Sequence, residues 1–88
     1  MDVEVSRVYV PRVGSFLVNV NLHTDGPPRN TSQADIAHAF EQVIGVKSAR
    51  PAVRGSAVWE ISVYDEFNDF GRDKLREVGE RIVARENA

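Results

Sequence analysis

Both histidines of the chain lie near an aspartate, and this is the first arrangement that suggests chemistry. Asp35 and His38 have the three-residue spacing that places side chains next to each other on a helix, and His23 precedes them. Two imidazoles and a carboxylate can hold a divalent metal. The apolar residues of the same helix, however, turn Asp35 and His38 toward solvent, and His23 points from the opposite face of the predicted sheet. We therefore expect no metal site here.

The segment that leads into this helix offers a possible site for an anion. Arg29 and the backbone amides of residues 30–32 stand at a helix N-terminus, where free N–H groups favour negative charge. Every capped helix offers such amides, and no glycine-rich cradle accompanies these. We expect a capping loop, and whether the loop 23–32 also holds a small anion stays open.

Acidic residues cluster before the last predicted helix, with Asp65, Asp69 and Asp73 at four-residue steps and Glu66 beside them. Carboxylates at this spacing can share a divalent cation with a substrate phosphate. The sequence lacks the glycine-bearing loop of a calcium site, and acidic residues in the first turns of a helix compensate its dipole. A solvated helix start is the expected role.

The serines and lysines show no catalytic constellation. A serine nucleophile needs a base that a third group orients, and no Gly-x-Ser-x-Gly elbow is present. Lys47 and Lys74 lie in polar surroundings without the features that activate a lysine. The chain has no cysteine, which excludes thiolate catalysis and Cys-based metal sites. The sequence therefore predicts a protein that is not an enzyme and uses no cofactor.

Hydrophobic spacing predicts the strands that must position these residues. Residues 15–23 alternate strictly, which is typical of a strand with one buried and one wet face, and residues 56–64 repeat that pattern. The alternation of residues 3–10 slips, which favours a bulge or an edge position. Residues 47–55 form a weak strand whose Pro51 cannot donate a ladder hydrogen bond, so it belongs at a sheet edge.

Two amphipathic helices follow the strand pairs. The first is predicted to begin at one of the N-cap candidates of "NTSQ", with Gln33 three residues after Asn30 as in a capping box, and to end at Gly45. The second runs from about residue 68 to 85, and Gly79 permits close approach to the sheet. The expected buried residues are Ile36, Ala37, Phe40, Val43 and Ile44 in the first helix, and Phe67, Phe70 or Gly71, Leu75, Val78, Ile82 and Val83 in the second.

The resulting element order is ββαββα. Moving the first strand to the end gives βαββαβ, the order of the ferredoxin-like fold. We therefore predict one small α+β domain over residues 1–88, a permuted ferredoxin-like fold with a four-stranded antiparallel sheet and two helices on one face. Such an architecture does not by itself imply a function.

A sheet with helices on one face leaves the other, here called the open face, uncovered. The covered face is expected to hold Phe16, Val18, Val20, Leu22, Trp59, Ile61 and Val63. The partner-binding residues predicted on the open face are Leu17, Asn19, Asn21, Val58, Glu60, Ser62 and Tyr64. Leu17 should lie near Tyr64 and form a small apolar anchor beside hydrogen-bonding amides. The sequence thus predicts a non-catalytic interaction or regulatory module that self-associates as a homo-oligomer through this face or an edge strand.

Charge patterning defines the alternative function. The formal net charge of −2 argues against a broad grip on nucleic acid, yet Lys47, Arg50 and Arg54 give the third strand a basic edge. An RNA-binding sheet also carries stacking aromatics on its open face, and here only Tyr64 is aromatic. A nucleic-acid-associated accessory protein that uses this basic edge is the alternative.

Composition also bears on the expected location. No apolar run approaches the roughly 18 residues that a membrane span needs, so no membrane partner is expected. The acidic, alternating N-terminus does not resemble a secretion signal. A small secreted domain usually needs disulfides, and this chain has no cysteine, which favours the cytoplasm.

Overall fold

The computed structural model describes residues 3–8, 16–26, 28–52 and 57–87. Tyr9, Val10, Ser15 and the turn region 53–56 of the predicted strands lie outside these residues. The described elements are β1 (Glu4–Val8), β2 (Phe16–Asn21), α1 (Gln33–Glu41), β3 (Val46–Pro51), β4 (Val58–Val63) and α2 (Asp69–Glu86). This is the predicted ββαββα order.

The four strands form one antiparallel sheet in the order β1-β2-β4-β3. The strictly alternating strands β2 and β4 occupy its centre, and the irregular β1 and β3 lie at its edges. Pro51 is the last residue of edge strand β3, and the register of β3 shifts between Val46 and Ser48. The fold is therefore the predicted α+β class, and its strand order with two helices is a ferredoxin-like arrangement.

The core lies between the sheet and the two helices. β2 and β4 pair so that Val18 lies opposite Ile61 and Val20 opposite Trp59, which brings large side chains together on one face. The Trp59 ring lies 5.9 Å from that of Phe40 on α1, centroid to centroid, at an interplanar angle of 47°. Trp59 is only 1% exposed, as its strand phase predicted. Burial of this face is the main stabilising contribution to the fold.

Helix α1 starts at a predicted N-cap but ends earlier than predicted. Ser32 is the N-cap, and its hydroxyl oxygen accepts a hydrogen bond from the Asp35 amide at 3.1 Å. The pairing of Asn30 with Gln33 is not the one that caps the helix. The helix ends at Glu41, and Gly45 instead adopts a positive φ of 92° in the following turn. Ile44 therefore leaves the helical stripe, and the prediction that it is buried is wrong, since it is 81% exposed.

Helix α2 approaches neighbouring side chains closely at two glycines, Gly71 and Gly79. A Cβ on Gly71 would meet the Phe67 ring at 2.5 Å, and one on Gly79 would meet Val3 Cγ1 at 2.8 Å. Gly79 therefore permits the predicted close approach to the sheet. Of the two alternatives given for the inner stripe, Gly71 is buried and Phe70 is 61% exposed.

Phe16 corrects the prediction for the covered face. It is the first residue of β2 and lies opposite Val63 at the end of the sheet. Its side chain is 52% exposed, whereas Val18 two residues later is 1% exposed. Alternation predicts the correct side of the sheet for Phe16. At the end of the strand, however, the elements packed on that side do not fully bury the side chain.

In the part of the chain that the structure describes, neither helix combines the length and apolar character required to cross a bilayer.

Candidate interaction surfaces

The structure leaves His23, Asp35 and His38 exposed. His23 follows β2 with a left-handed φ of 54°, and its amide donates to Asn21 Oδ1 at 2.9 Å. Asp35 and His38 lie on the solvent side of α1. Within the described ranges, no three His, Cys, Asp or Glu side chains come together as a set that could hold a metal ion.

In the loop for which the sequence leaves anion binding open, two backbone amides bind a side chain of the protein itself. The Glu86 carboxylate, at the end of α2, accepts hydrogen bonds from the backbone amides of Arg29 and Asn30, the latter at 2.7 Å. Charge-assisted hydrogen bonds of this kind are among the stronger ones in proteins. The loop therefore ties the end of α2 to the start of α1. The sequence carried no local signal for this contact, because the two partners lie more than fifty residues apart.

The acidic cluster is distributed along α2 and the turn before it. Asp69 pairs with Arg72 at 3.8 Å, and Asp73 pairs with Arg76 at 3.5 Å, each three residues along the helix. Asp65 and Glu66 are exposed in the turn that follows β4. The arrangement is that of a solvated helix surface with local ion pairs.

The open face carries all seven predicted partner-binding residues. The described register places Asn21 opposite Val58, Asn19 opposite Glu60 and Leu17 opposite Ser62. These six side chains are half-buried, and Tyr64, which continues the alternation beyond β4, is 46% exposed. The two central strands therefore present alternating apolar and hydrogen-bonding side chains.

Leu17 and Tyr64 lie at the same end of the open face, as predicted. At this end of the sheet, where the two faces meet, they line a depression of about 120 Å³ together with Phe16, Val18, Val63, Asp65 and Phe67. The Lys47 ammonium lies 5.1 Å from the centre of the Tyr64 ring, which is cation–π distance. Lys47 lies at the register shift of β3, between Val46 and Ser48. The sequence alone did not predict the position of this shift.

Opposite charges occupy the two edges of the open face. Glu4 lies on β1 opposite Asn21, and Arg50 lies on β3 opposite Glu60. Arg50 forms an ion pair with Glu60 at 3.5 Å while 77% of its side chain stays exposed. Arg54, the third predicted member of the basic edge, lies outside the described residues.

A second surface, which sequence reasoning missed, is a groove of about 530 Å³ between the helices. We call it the interhelical groove, and its lining residues are Thr31, Asp35, Ala39, Gln42, Val43, Ile44, Phe70, Lys74, Val78, Arg81, Ile82 and Arg85. The signal that could have revealed it is the spacing of Lys74, Arg81 and Arg85, which places three cations along one stripe of α2.

Comparison with known proteins gives no further indication of function. No family model matches the chain, and neither the curated proteins nor the solved structures contain a significant match.

Proposed function

We propose that this protein is a small non-catalytic interaction module that forms a homodimer through the open face of its sheet. The single observation that carries the proposal is the arrangement of that face. It has an apolar anchor at one end, hydrogen-bonding side chains in the middle, and charges of opposite sign at its two edges. The absence of cysteine supports a cytoplasmic site of action.

The composition of the open face suits a protein interface. Leu17 and Val58 are half-buried in the monomer and Tyr64 is partly exposed, so a partner would remove the remaining apolar surface from water. Tyrosine is enriched among the residues that dominate binding energy. Asn19 and Asn21 lie between these apolar groups and offer amides to a partner, and interfaces combine apolar contacts with such hydrogen bonds.

The charge arrangement favours a second copy as the partner. A homodimer with two-fold symmetry uses the same surface on both subunits. When two sheets stack face to face about a two-fold axis parallel to the strands, β1 of one copy lies across from β3 of the other. Glu4 of each copy then faces the edge that carries Lys47 and Arg50 of the other. A two-fold axis perpendicular to the strands would instead bring edges of like charge together.

The positions along the strands are compatible with this pairing. Glu4 is level with Asn21, while Arg50 is level with Asn19 through its partner Glu60. The two levels differ by two residues, or about 7 Å along a strand. An extended arginine side chain can span such a distance, so each dimer would contain two equivalent ion pairs between subunits.

Sedimentation velocity of the wild type and a Leu17→Arg/Tyr64→Ala variant tests the proposal. The wild type should pass from monomer to dimer as its concentration rises. The variant should stay monomeric, because it places a charge in the interface and removes its aromatic anchor. Ala34→Arg, on the exposed side of α1, adds the same charge elsewhere and should dimerise as the wild type does.

Two results would count against the homodimer. One is a wild type that stays monomeric throughout the accessible concentration range. The other is a Leu17→Arg/Tyr64→Ala variant that remains folded by circular dichroism and dimerises with unchanged affinity.

The edge of β3 supports the alternative, a nucleic-acid-associated role, because Lys47 and Arg50 are both exposed there. That role predicts retention on DNA or RNA that falls with salt and is lost in Arg50→Glu/Arg54→Glu. The homodimer predicts no such retention, since stacking of the open faces would place Lys47 and Arg50 beside Glu4 of the other copy.

A further inference from the structure

The interhelical groove extends along nearly the whole of α2. Phe70 and Arg85 both line it and are fifteen residues apart on α2, which corresponds to about 22 Å along a helix. The two helices run antiparallel beside it: Glu86 binds the amide of Asn30 at one end, and Gly45 contacts Phe67 at the other. An elongated occupant of about four helical turns matches this length.

The floor of the groove is apolar. Ala39 and Val43 come from α1 and the turn after it, and Val78 and Ile82 come from α2. At one end Ile44 and Phe70 are 81% and 61% exposed, although both are large apolar side chains. A single exposed apolar residue needs no explanation, but an apolar patch of several residues indicates a binding surface. An occupant with its own apolar stripe would remove this patch from water.

The α2 rim of the groove is basic. Lys74, Arg81 and Arg85 line it, against one carboxylate, Asp35, on α1. Lys74 also pairs with Glu77 at 3.2 Å, whereas Arg81 and Arg85 form no ion pair with any residue that the structure describes. The two arginines are therefore free to bind carboxylates of a partner.

We infer that the interhelical groove binds an amphipathic helix of a partner protein, with its apolar stripe on the groove floor and acidic residues against Arg81 and Arg85. Recognition of an amphipathic helix by an apolar groove uses anchors at helical spacing. The groove does not suit a second copy of this chain, because two grooves face to face would offer only Asp35 of each copy to the three cations of the other, or would oppose the two cationic rims. This inference does not depend on the proposed homodimer.

Fluorescence anisotropy with a synthetic peptide tests the inference. The probe is an 18-residue acetylated and amidated peptide with leucine at i, i+3, i+4 and i+7 spacing and glutamate on both flanks. The control probe has lysine at every glutamate position. The glutamate probe should bind, and its affinity should fall as the salt concentration rises. The lysine probe should not bind.

Charge reversal on one helix provides the matched variants. Arg81→Glu should lower the affinity for the glutamate probe by roughly tenfold, because it replaces one favourable charge contact with a repulsive one. Arg76→Glu makes the same change in net charge at a position of α2 that does not line the groove and that pairs with Asp73. It should leave the affinity for the glutamate probe within roughly twofold of the wild type. Phe70→Ser should weaken binding and leave its salt dependence unchanged.

Chemical-shift mapping by NMR locates the bound peptide independently of the variants. The largest shifts on adding the glutamate probe should lie at Val43, Val78 and Ile82. The inference is overturned by equal binding of both probes, by equal effects of Arg81→Glu and Arg76→Glu, or by shifts confined to the open face. Binding to vesicles of anionic lipid without any binding of the peptide would also overturn it and would assign the groove to a membrane surface.

Discussion

The open face and the interhelical groove are both uncovered surfaces, and they differ in the arrangement of their charges. The open face has Glu4 at one edge and Lys47 with Arg50 at the other, so a rotated copy of the same surface is complementary to it. The groove has three cations along one rim and a single carboxylate on the other, so a copy of it offers too few opposite charges to be complementary. A surface with two separated signs of charge suits self-association, and a surface dominated by one sign suits a different partner.

The two surfaces also differ in how the sheet supports them. The open face is the reverse side of the strands that form the core, so its geometry is fixed by β-sheet pairing. The groove is bounded by two helices that are joined at one end through Glu86 and the amides before α1. Substitutions can therefore disturb one surface and leave the other unchanged.

The largest effect is expected at Trp59, on which both surfaces depend. Trp59→Ala should lower the free energy of unfolding by about 3–5 kcal/mol, because it removes the largest buried side chain between the sheet and α1. Val58→Ala, the adjacent residue on the open face, should cost less than about 1.5 kcal/mol, since its side chain is only half-buried. Urea unfolding followed by circular dichroism measures both values.

The indole nitrogen gives a further control on Trp59. Its Nε1 atom is buried and has no hydrogen-bond partner among the described residues. Trp59→Phe should therefore recover most of the stability lost in Trp59→Ala. Equal losses for Trp59→Ala and Val58→Ala would contradict the assignment of the two faces.

An intermediate effect is expected at Glu86, which affects the groove and not the open face. Glu86→Gln should reduce stability by about 1–2 kcal/mol, because a neutral amide replaces the carboxylate that accepts from Arg29 and Asn30. Glu80→Gln on the same helix should change stability by less than about 0.5 kcal/mol. Thermal unfolding at equal salt compares the two variants, and a Glu80→Gln loss as large as that of Glu86→Gln would argue against the contact.

The smallest effect is expected at Ile44. Ile44→Ser should change the free energy of unfolding by less than about 0.5 kcal/mol, because the side chain is 81% exposed. Ile36→Ala in α1, where the side chain is 1% exposed, should cost about 2–5 kcal/mol. A loss at Ile44 comparable to that at Ile36 would restore the longer helix that the periodicity predicted.

Periodicity was sufficient to predict the sheet and its two faces. The alternation of Val18 and Val20 with Leu17 and Asn19 leaves one consistent phase, since a shift by one residue exchanges the faces. Pro51 predicted an edge strand for a different local reason, since proline cannot donate a ladder hydrogen bond. The helix stripes of α2 followed from spacing as well, with Gly79 as the point of close approach.

The errors arise where local pattern competes with the end of an element. Ile44 continues the apolar spacing of α1, but the backbone leaves the helix at Glu41 and the spacing no longer applies. Phe16 has the right alternation but lies at the end of its strand, beyond complete cover. The Glu86 contact and the interhelical groove depend on tertiary proximity, which the local spacing of residues does not contain.

A charge-swap experiment tests the central claim, that the open faces of two copies stack with β1 across from β3. In a dimer of the Glu4→Arg variant, the new arginine faces Arg50 of the other copy. In a dimer of the Arg50→Glu variant, the new glutamate faces Glu4 of the other copy. Each variant should therefore dimerise more weakly than the wild type. An equimolar mixture should recover dimers, since both intersubunit pairs are then complementary. Sedimentation equilibrium of the two variants and their mixture measures this directly. We expect heterodimers with an affinity close to that of the wild type, and a mixture that associates no better than its separate components would contradict the stacking of β1 across from β3.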